Sequence, residues 1–196
     1  MSLRHIRVLS LVPARRYTGL AVVDGFGMPE HGFQTWKLDR FHKLGEKKGT
    51  LALRLTRALR QFRPTLAVLG IPKYDDATCR ALRKAAETIF ESTGLPFVVR
   101  SIAEARHLML GKYMGKDEDE FAKSVVSGFL PELARFLKSS AIVRQYRRHA
   151  WEAVGLAIVE LLGRAPLQAA ALARPEAFAM GTIAEVLSQT TPSQPL

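Results

Sequence analysis

Three strand-like runs stand back to back near the start of the chain, over residues 6–12, 17–24 and 30–38. Pro13-Ala14-Arg15-Arg16 joins the first two and Gly25-Phe26-Gly27-Met28-Pro29 the next two. Proline and glycine are the residues that tight reversals require, so the pattern predicts a β-meander. The first run, Ile6 to Val12, contains no carboxylate.

Residues 49–62 then change to helical spacing, with Leu51, Leu55, Leu59 and Phe62 on one face and Arg54, Arg57 and Arg60 on the other. The apolar run 66–71 lies between Pro64 and Pro72 and is too short for a helix, so a buried strand is expected. Residues 78–92 are helical, with Leu82, Ala86, Ile89 and Phe90 on one face and Gly94 as the stop. Residues 96–100 form a fifth strand. Beyond Ala103 the chain reads as helical, with breaks near 111–116 and 138–140. The last clear helix, 147–162, carries a stripe of Ala150, Ala153, Val154, Ala157, Ile158 and Leu161. This order predicts an α/β fold with a five-stranded mixed sheet, a three-strand antiparallel meander plus two parallel strands, flanked by helices.

A chain of 196 residues, 47% of them hydrophobic, can fill one core, and the expected domain runs from 1 to 165. Residues 166–196 are Ala-rich and end in a polar Ser/Thr/Pro/Gln stretch, which predicts an extension with one helix at 175–187 and a disordered tail. No apolar run reaches the roughly 20 residues that span a bilayer, and no signal-peptide layout is present, so a soluble, cytoplasmic protein without membrane contact is expected. Cys79 is the single cysteine and rules out an intramolecular disulfide and a cysteine-rich zinc site. A small side chain near a helix start is its expected role.

Charge narrows the partner. Against 18 Asp and Glu stand 29 Lys and Arg, a net charge of +11, and the pI is about 10.2. The cations cluster at Arg4, His5 and Arg7; at Arg15 and Arg16; between Lys37 and Lys48; along Arg54, Arg57 and Arg60; and at Arg144, Arg147 and Arg148. Any one cluster is read as a solvated face, but together they point to a polyanion. Lys and Arg contacts to phosphate supply affinity without sequence preference.

Four stretches, in order, resemble the RuvC-type Holliday junction resolvases of the ribonuclease H-like fold. In that family the first strand ends in Asp-Pro-Gly before a Thr-Gly segment; here Val12-Pro13-Ala14-Arg15-Arg16-Tyr17-Thr18-Gly19 has the same layout, with Pro13, Thr18 and Gly19 matching. The family's Pro followed by a strand is echoed by Pro64 to Ile71, and its basic, Lys-containing helix start by Leu110 to Lys116. Its final helix, often begun His-Ala-Ala-Asp-Ala-Leu, is echoed by His149-Ala150-Trp151-Glu152-Ala153-Val154. The matches span roughly residues 5–163, and each motif alone is weak.

The resemblance also locates departures. Resolvases of this type use several carboxylates to hold two divalent ions. The first-strand Asp falls on Val12, and the fourth-strand Glu on Leu69 or Gly70. Only His149 and Glu152, three apart on one helix face, persist as altered catalytic remnants. Glu152 has an alternative role as an ion-pair partner of Arg148. The resemblance therefore implies a nucleic-acid-binding protein that has lost metal-dependent cleavage, with no cofactor and no metal site. DNA is expected over RNA as the partner, and a homodimer is plausible from the family. Arg15, Arg16, Lys112, Lys116, Arg144, Arg147 and Arg148 are the candidate contacts to nucleic acid.

Two alternatives stay open. One is an active, Mg²⁺-dependent endodeoxyribonuclease with rearranged ligands drawn from Asp24, Asp75 and Asp76. For these acids the structural alternatives are a turn beside Gly25 and a helix N-terminus. The other is a basic protein-interaction subunit.

Overall fold

The computed structural model describes residues 6–25, 27–110, 118–137 and 141–164. Its five strands are β1 (Arg7–Val12), β2 (Tyr17–Asp24), β3 (Phe33–Lys37), β4 (Leu66–Ile71) and β5 (Phe97–Ser101), in the sheet order β3-β2-β1-β4-β5. The first three form the antiparallel meander, and β4 and β5 add in parallel to β1, as the pattern predicts. The helices are α1 (Leu44–Phe62), α2 (Ala77–Thr93), α3 (Ile102–Leu110), α4 (Glu118–Gly128), α5 (Ala134–Leu137) and α6 (Ala141–Arg164).

Alternation along the strands builds two cores. From β1, Val8 and Val12 face α6, α3 and α4, whereas Leu9 and Leu11 face α1 and α2. In β4, Leu66 and Val68 join the α6 side and Ala67 and Leu69 the α1/α2 side. Both central strands are thus covered on both faces, which explains their nearly continuous apolar runs. On α6, Ala153, Val154, Ala157, Ile158 and Leu161 are fully buried.

Gly19 sets how near α6 comes to the sheet. A Cβ there would fall on the backbone carbonyl of His149 and the nitrogen of Ala150. Only a residue without a side chain lets the helix settle onto β2 at this point. The Thr18-Gly19 motif therefore determines where His149 and Glu152 stand.

Several boundaries shift. α1 begins at Leu44 rather than at residue 49, because Lys47 continues its buried stripe with Leu51, Leu55, Ala58 and Phe62. A lysine in that stripe hides the first turn from any hydrophobic pattern. β3 is shorter than the run 30–38, since Gly32 and Pro29 form a turn before it. α6 starts at Ala141, ahead of the expected 147. The breaks at 111–116 and 138–140, the extension 166–196 and its helix lie outside the described residues. Among the described residues no helix is long and apolar enough to cross a membrane.

Candidate functional site

Two regions draw together the residues singled out in the sequence, and both lie toward the end of β1 where Val12 meets Gly19.

The first region is under α6. Glu152 is 2% exposed, yet both its oxygens are occupied: Oε1 accepts from Arg106 at 3.0 Å and from Arg148 at 3.2 Å, and Oε2 lies 2.7 Å from Nδ1 of His149. Burial pushes its carboxyl pKa up, but the His149 hydrogen bond and the charges of His149, Arg148 and Arg106 outweigh that and hold it below the ordinary range. Arg148 is the partner one turn earlier that helical spacing brings within reach. Arg106 comes from α3, far away in sequence, and nothing in the sequence signals it. Its guanidinium also lies 5.4 Å from the centre of the Phe121 ring. Two turns farther along α6, Glu160 is likewise buried and takes Arg100 of β5 at 3.2 Å.

Beside this cluster the sheet surface is apolar. Val12 is fully buried in the α6-side core. Position 70, rather than 69, faces this side: a Cβ on Gly70 would lie 2.6 Å from Cδ1 of Leu156 and 2.8 Å from Cγ2 of Val12. Leu69 points into the opposite core. Among the described residues no group of three or more His, Cys, Asp or Glu side chains is arranged to hold a metal ion.

The other acids are engaged elsewhere. Asp24 pairs with Arg7 at the opposite end of β1, about 17 Å of strand from Val12. Asp75 forms a two-pronged pair with Arg83, at 2.9 and 3.0 Å. The helix cap is supplied by Asp76, not Asp75: its carboxylate accepts from the Cys79 amide at 2.8 Å, which lowers its pKa. Cys79 is buried, and burial together with Asp76 pushes its thiol up to about 11.

The second region is on the other side of the β1–β2 turn. Arg15 and Arg16 are exposed there, and with His42, Lys47, Asp39 and Thr78 they line a cavity of about 220 Å³. The first turns of α1 and α2 converge on it, since both helices follow strands that run parallel to β1. Farther along α1, Arg54 and Arg57 border a second groove, of about 330 Å³, against Trp36 and Gln34 of the edge strand β3. Arg147 is stacked 4.9 Å from the Phe136 ring centre. Arg144 lies in α6, while Lys112 and Lys116 are outside the described residues.

No protein-family model matches the chain, and no curated protein matches it. Solved structures do. Thermus thermophilus RuvC superposes with a TM-score of 0.57 at 16% identity, covering 78% of this chain and 90% of its own. The fold is ribonuclease H-like, of the RuvC kind. The same RuvC in complex with a Holliday junction substrate gives a TM-score of 0.59 at 18% identity, with 78% and 90% covered. Ydc2, the yeast mitochondrial Holliday junction resolvase, gives 0.55 at 10% identity and covers 76% of each chain.

Proposed function

We propose that this chain is a nucleic-acid-binding protein built on the RuvC-like fold, with DNA as its preferred partner, and that it no longer cleaves phosphodiesters with metal ions. The observation that carries this reading is the state of Glu152. Its two oxygens already face two guanidiniums and an imidazole, so the positive charge that a divalent ion would provide is supplied by protein side chains. Mg²⁺ requires oxygen ligands in near-octahedral array, and two-ion hydrolysis requires several carboxylates around both ions. The groups beside Glu152 do not fit that requirement: Val12 is apolar, and Gly70 carries no side chain and faces the methyl groups of Leu156 and Val12.

Binding is supported by different residues. Arg15 and Arg16 project at the turn after β1, on a chain of net charge +11, and a solved neighbour of the same fold holds a Holliday junction. Such cations hold phosphates and release counterions, so affinity falls steeply with salt.

The test is to incubate the purified chain with four-way junction, duplex and single-stranded DNA, with Mg²⁺ or Mn²⁺, and follow retention and cleavage together. Salt-dependent retention without cleavage is the expected result. Cleavage that disappears in Glu152→Ala would replace this reading with that of an active nuclease using rearranged ligands. Absence of retention on all of these DNAs, and on the same strands made as RNA, would point to the protein-interaction alternative.

A further inference from the structure

The cavity at the N-terminus of α1 contains an arrangement that general nucleic-acid affinity does not require. Lys47 is only 8% exposed, and among the described residues its ammonium donates to a single partner, the Arg15 carbonyl at 2.8 Å. An ammonium has three donors, and a buried lysine is ordinarily matched by a carboxylate. Among the described residues Lys47 has no carboxylate within 4.0 Å. Lys47 lines the cavity together with Arg15, Arg16, His42 and Thr78, and the side chains of these four make no hydrogen bond or ion pair among the described residues.

The two helix ends meeting there are unlike. Asp76 caps α2 and satisfies the Cys79 amide, whereas Lys43, at the cap position of α1, offers no side-chain acceptor. The first amides of α1 and its dipole therefore add to the positive potential on the Leu44–Lys47 side of the cavity. Glu46 lies in that turn but does not line the cavity. The one acid that does, Asp39, is 3.7 Å from Lys37 and 3.4 Å from the Tyr17 hydroxyl through Oδ2. Its Oδ1 is buried without a partner.

We infer that this cavity is a preformed site for a phosphate monoester. Lys47 and the α1 amides hold the phosphate from within, and Arg15 and Arg16 close over it. A monoester has three terminal oxygens and close to two negative charges at neutral pH, against two oxygens and one charge for an internal diester. Three permanent cations around one cavity match the former better. Inorganic phosphate and the phosphorylated end of a nucleic-acid strand share this chemistry. Assignment to a strand end rests on the nucleic-acid reading proposed above; assignment to a phosphate does not.

The experiment uses the full chain, by calorimetry and thermal shift, with inorganic phosphate and with one oligonucleotide made in 5′-phosphorylated, 3′-phosphorylated and unphosphorylated forms. The same titrations are run on Lys47→Met, which keeps the buried stem, on Lys47→Arg, and on the exposed double variant Arg15→Ala/Arg16→Ala. One phosphorylated oligonucleotide is expected to bind about tenfold or more tightly than its unphosphorylated twin. Lys47→Met should abolish that preference and Lys47→Arg should retain part of it. The double variant, whose fold is not at risk, should reduce the preference as well. Saturable binding of inorganic phosphate, lost in Lys47→Met with no end preference in any oligonucleotide, would assign the site to free phosphate. If the three oligonucleotides bind equally and inorganic phosphate neither binds nor stabilises, the inference is overturned while nucleic-acid binding stands. If no oligonucleotide binds but phosphate does, and Lys47→Met or the double variant removes it, the inference stands and the nucleic-acid reading falls.

Discussion

Glu152 and Lys47 are each a buried ionisable side chain on a long helix, one against each face of the sheet, and they are treated in opposite ways. Glu152 is surrounded by opposite charge until neither oxygen is free. Lys47 meets one carbonyl and an open cavity. A buried charge is costly unless its partners replace water, so the first arrangement works as internal structure. In the second, part of the solvation is left to whatever enters the cavity. Burial alone thus does not separate a structural charge from a binding one. The number of its donors or acceptors left over does.

Five variants probe this contrast, from the largest expected effect to the smallest. Val12→Asp places a carboxylate in the apolar surface next to Glu152 and should cost about 4 kcal/mol or more, measured by urea unfolding. Recovery of that stability by millimolar Mg²⁺ would break the contrast, since the Glu152 region would then be a latent metal site.

Gly19→Ala drives a methyl into the His149 carbonyl, which belongs to a helix backbone and cannot move aside alone. A loss of about 3 kcal/mol is expected. Because α6 and not α1 is displaced, phosphate-dependent stabilisation of the folded fraction should survive, and its disappearance would show the two regions to be coupled.

Arg106→Met removes one of the partners of Glu152 and should cost about 1–3 kcal/mol at neutral pH. The pH dependence has a definite sign. The folded-state pKa of Glu152 lies below its unfolded value, so its contribution is complete above about pH 4.5 and is lost as pH falls through the folded value. Loss of Arg106 raises the folded pKa, and acid unfolding should begin at higher pH than in the parent. Glu152→Gln should remove this acid-dependent part of the curve, and an unchanged curve would mean the three cations do not act through the carboxylate.

Arg15→Ala/Arg16→Ala should leave the unfolding midpoint where it is, because both side chains are exposed. Nucleic-acid affinity should fall, and the slope of log K against log salt should become shallower by about 2, one for each phosphate contact removed. Equal affinity and equal slope would detach this turn from binding.

How much of this was legible beforehand follows physical lines. The alternation in Arg7–Val12, Tyr17–Asp24 and Leu66–Ile71 is a local consequence of the pleat, and with the Pro and Gly turns it predicts the meander and the two parallel strands. The Arg148–Glu152 pair is equally local, set by one helical turn. Arg106 is a different matter: it reaches Glu152 only because α3 packs on α6, a relation between segments that no spacing encodes. Lys47 is one of the clustered cations of the sequence, but its burial was hidden for a subtler reason. Its place four residues before Leu51 and eight before Leu55 is visible in the sequence, but a lysine on an apolar stripe looks like the end of the stripe. Of the two positions open for the fourth-strand acid, facing could decide only once the register of β4 against β1 was known.

By itself, then, the sequence determines the order of elements, the faces they bury, the excess of positive charge and the absence of a carboxylate at Val12, because each depends on neighbours a few residues apart. The tertiary structure alone decides that Glu152 is enclosed by cations from two helices, that Gly70 and Val12 meet Leu156, and that Lys47 opens onto a cavity shared with Arg15 and Arg16. These are distances between segments far apart in the chain, and they exist only after the sheet has brought α6 to one face and α1 to the other.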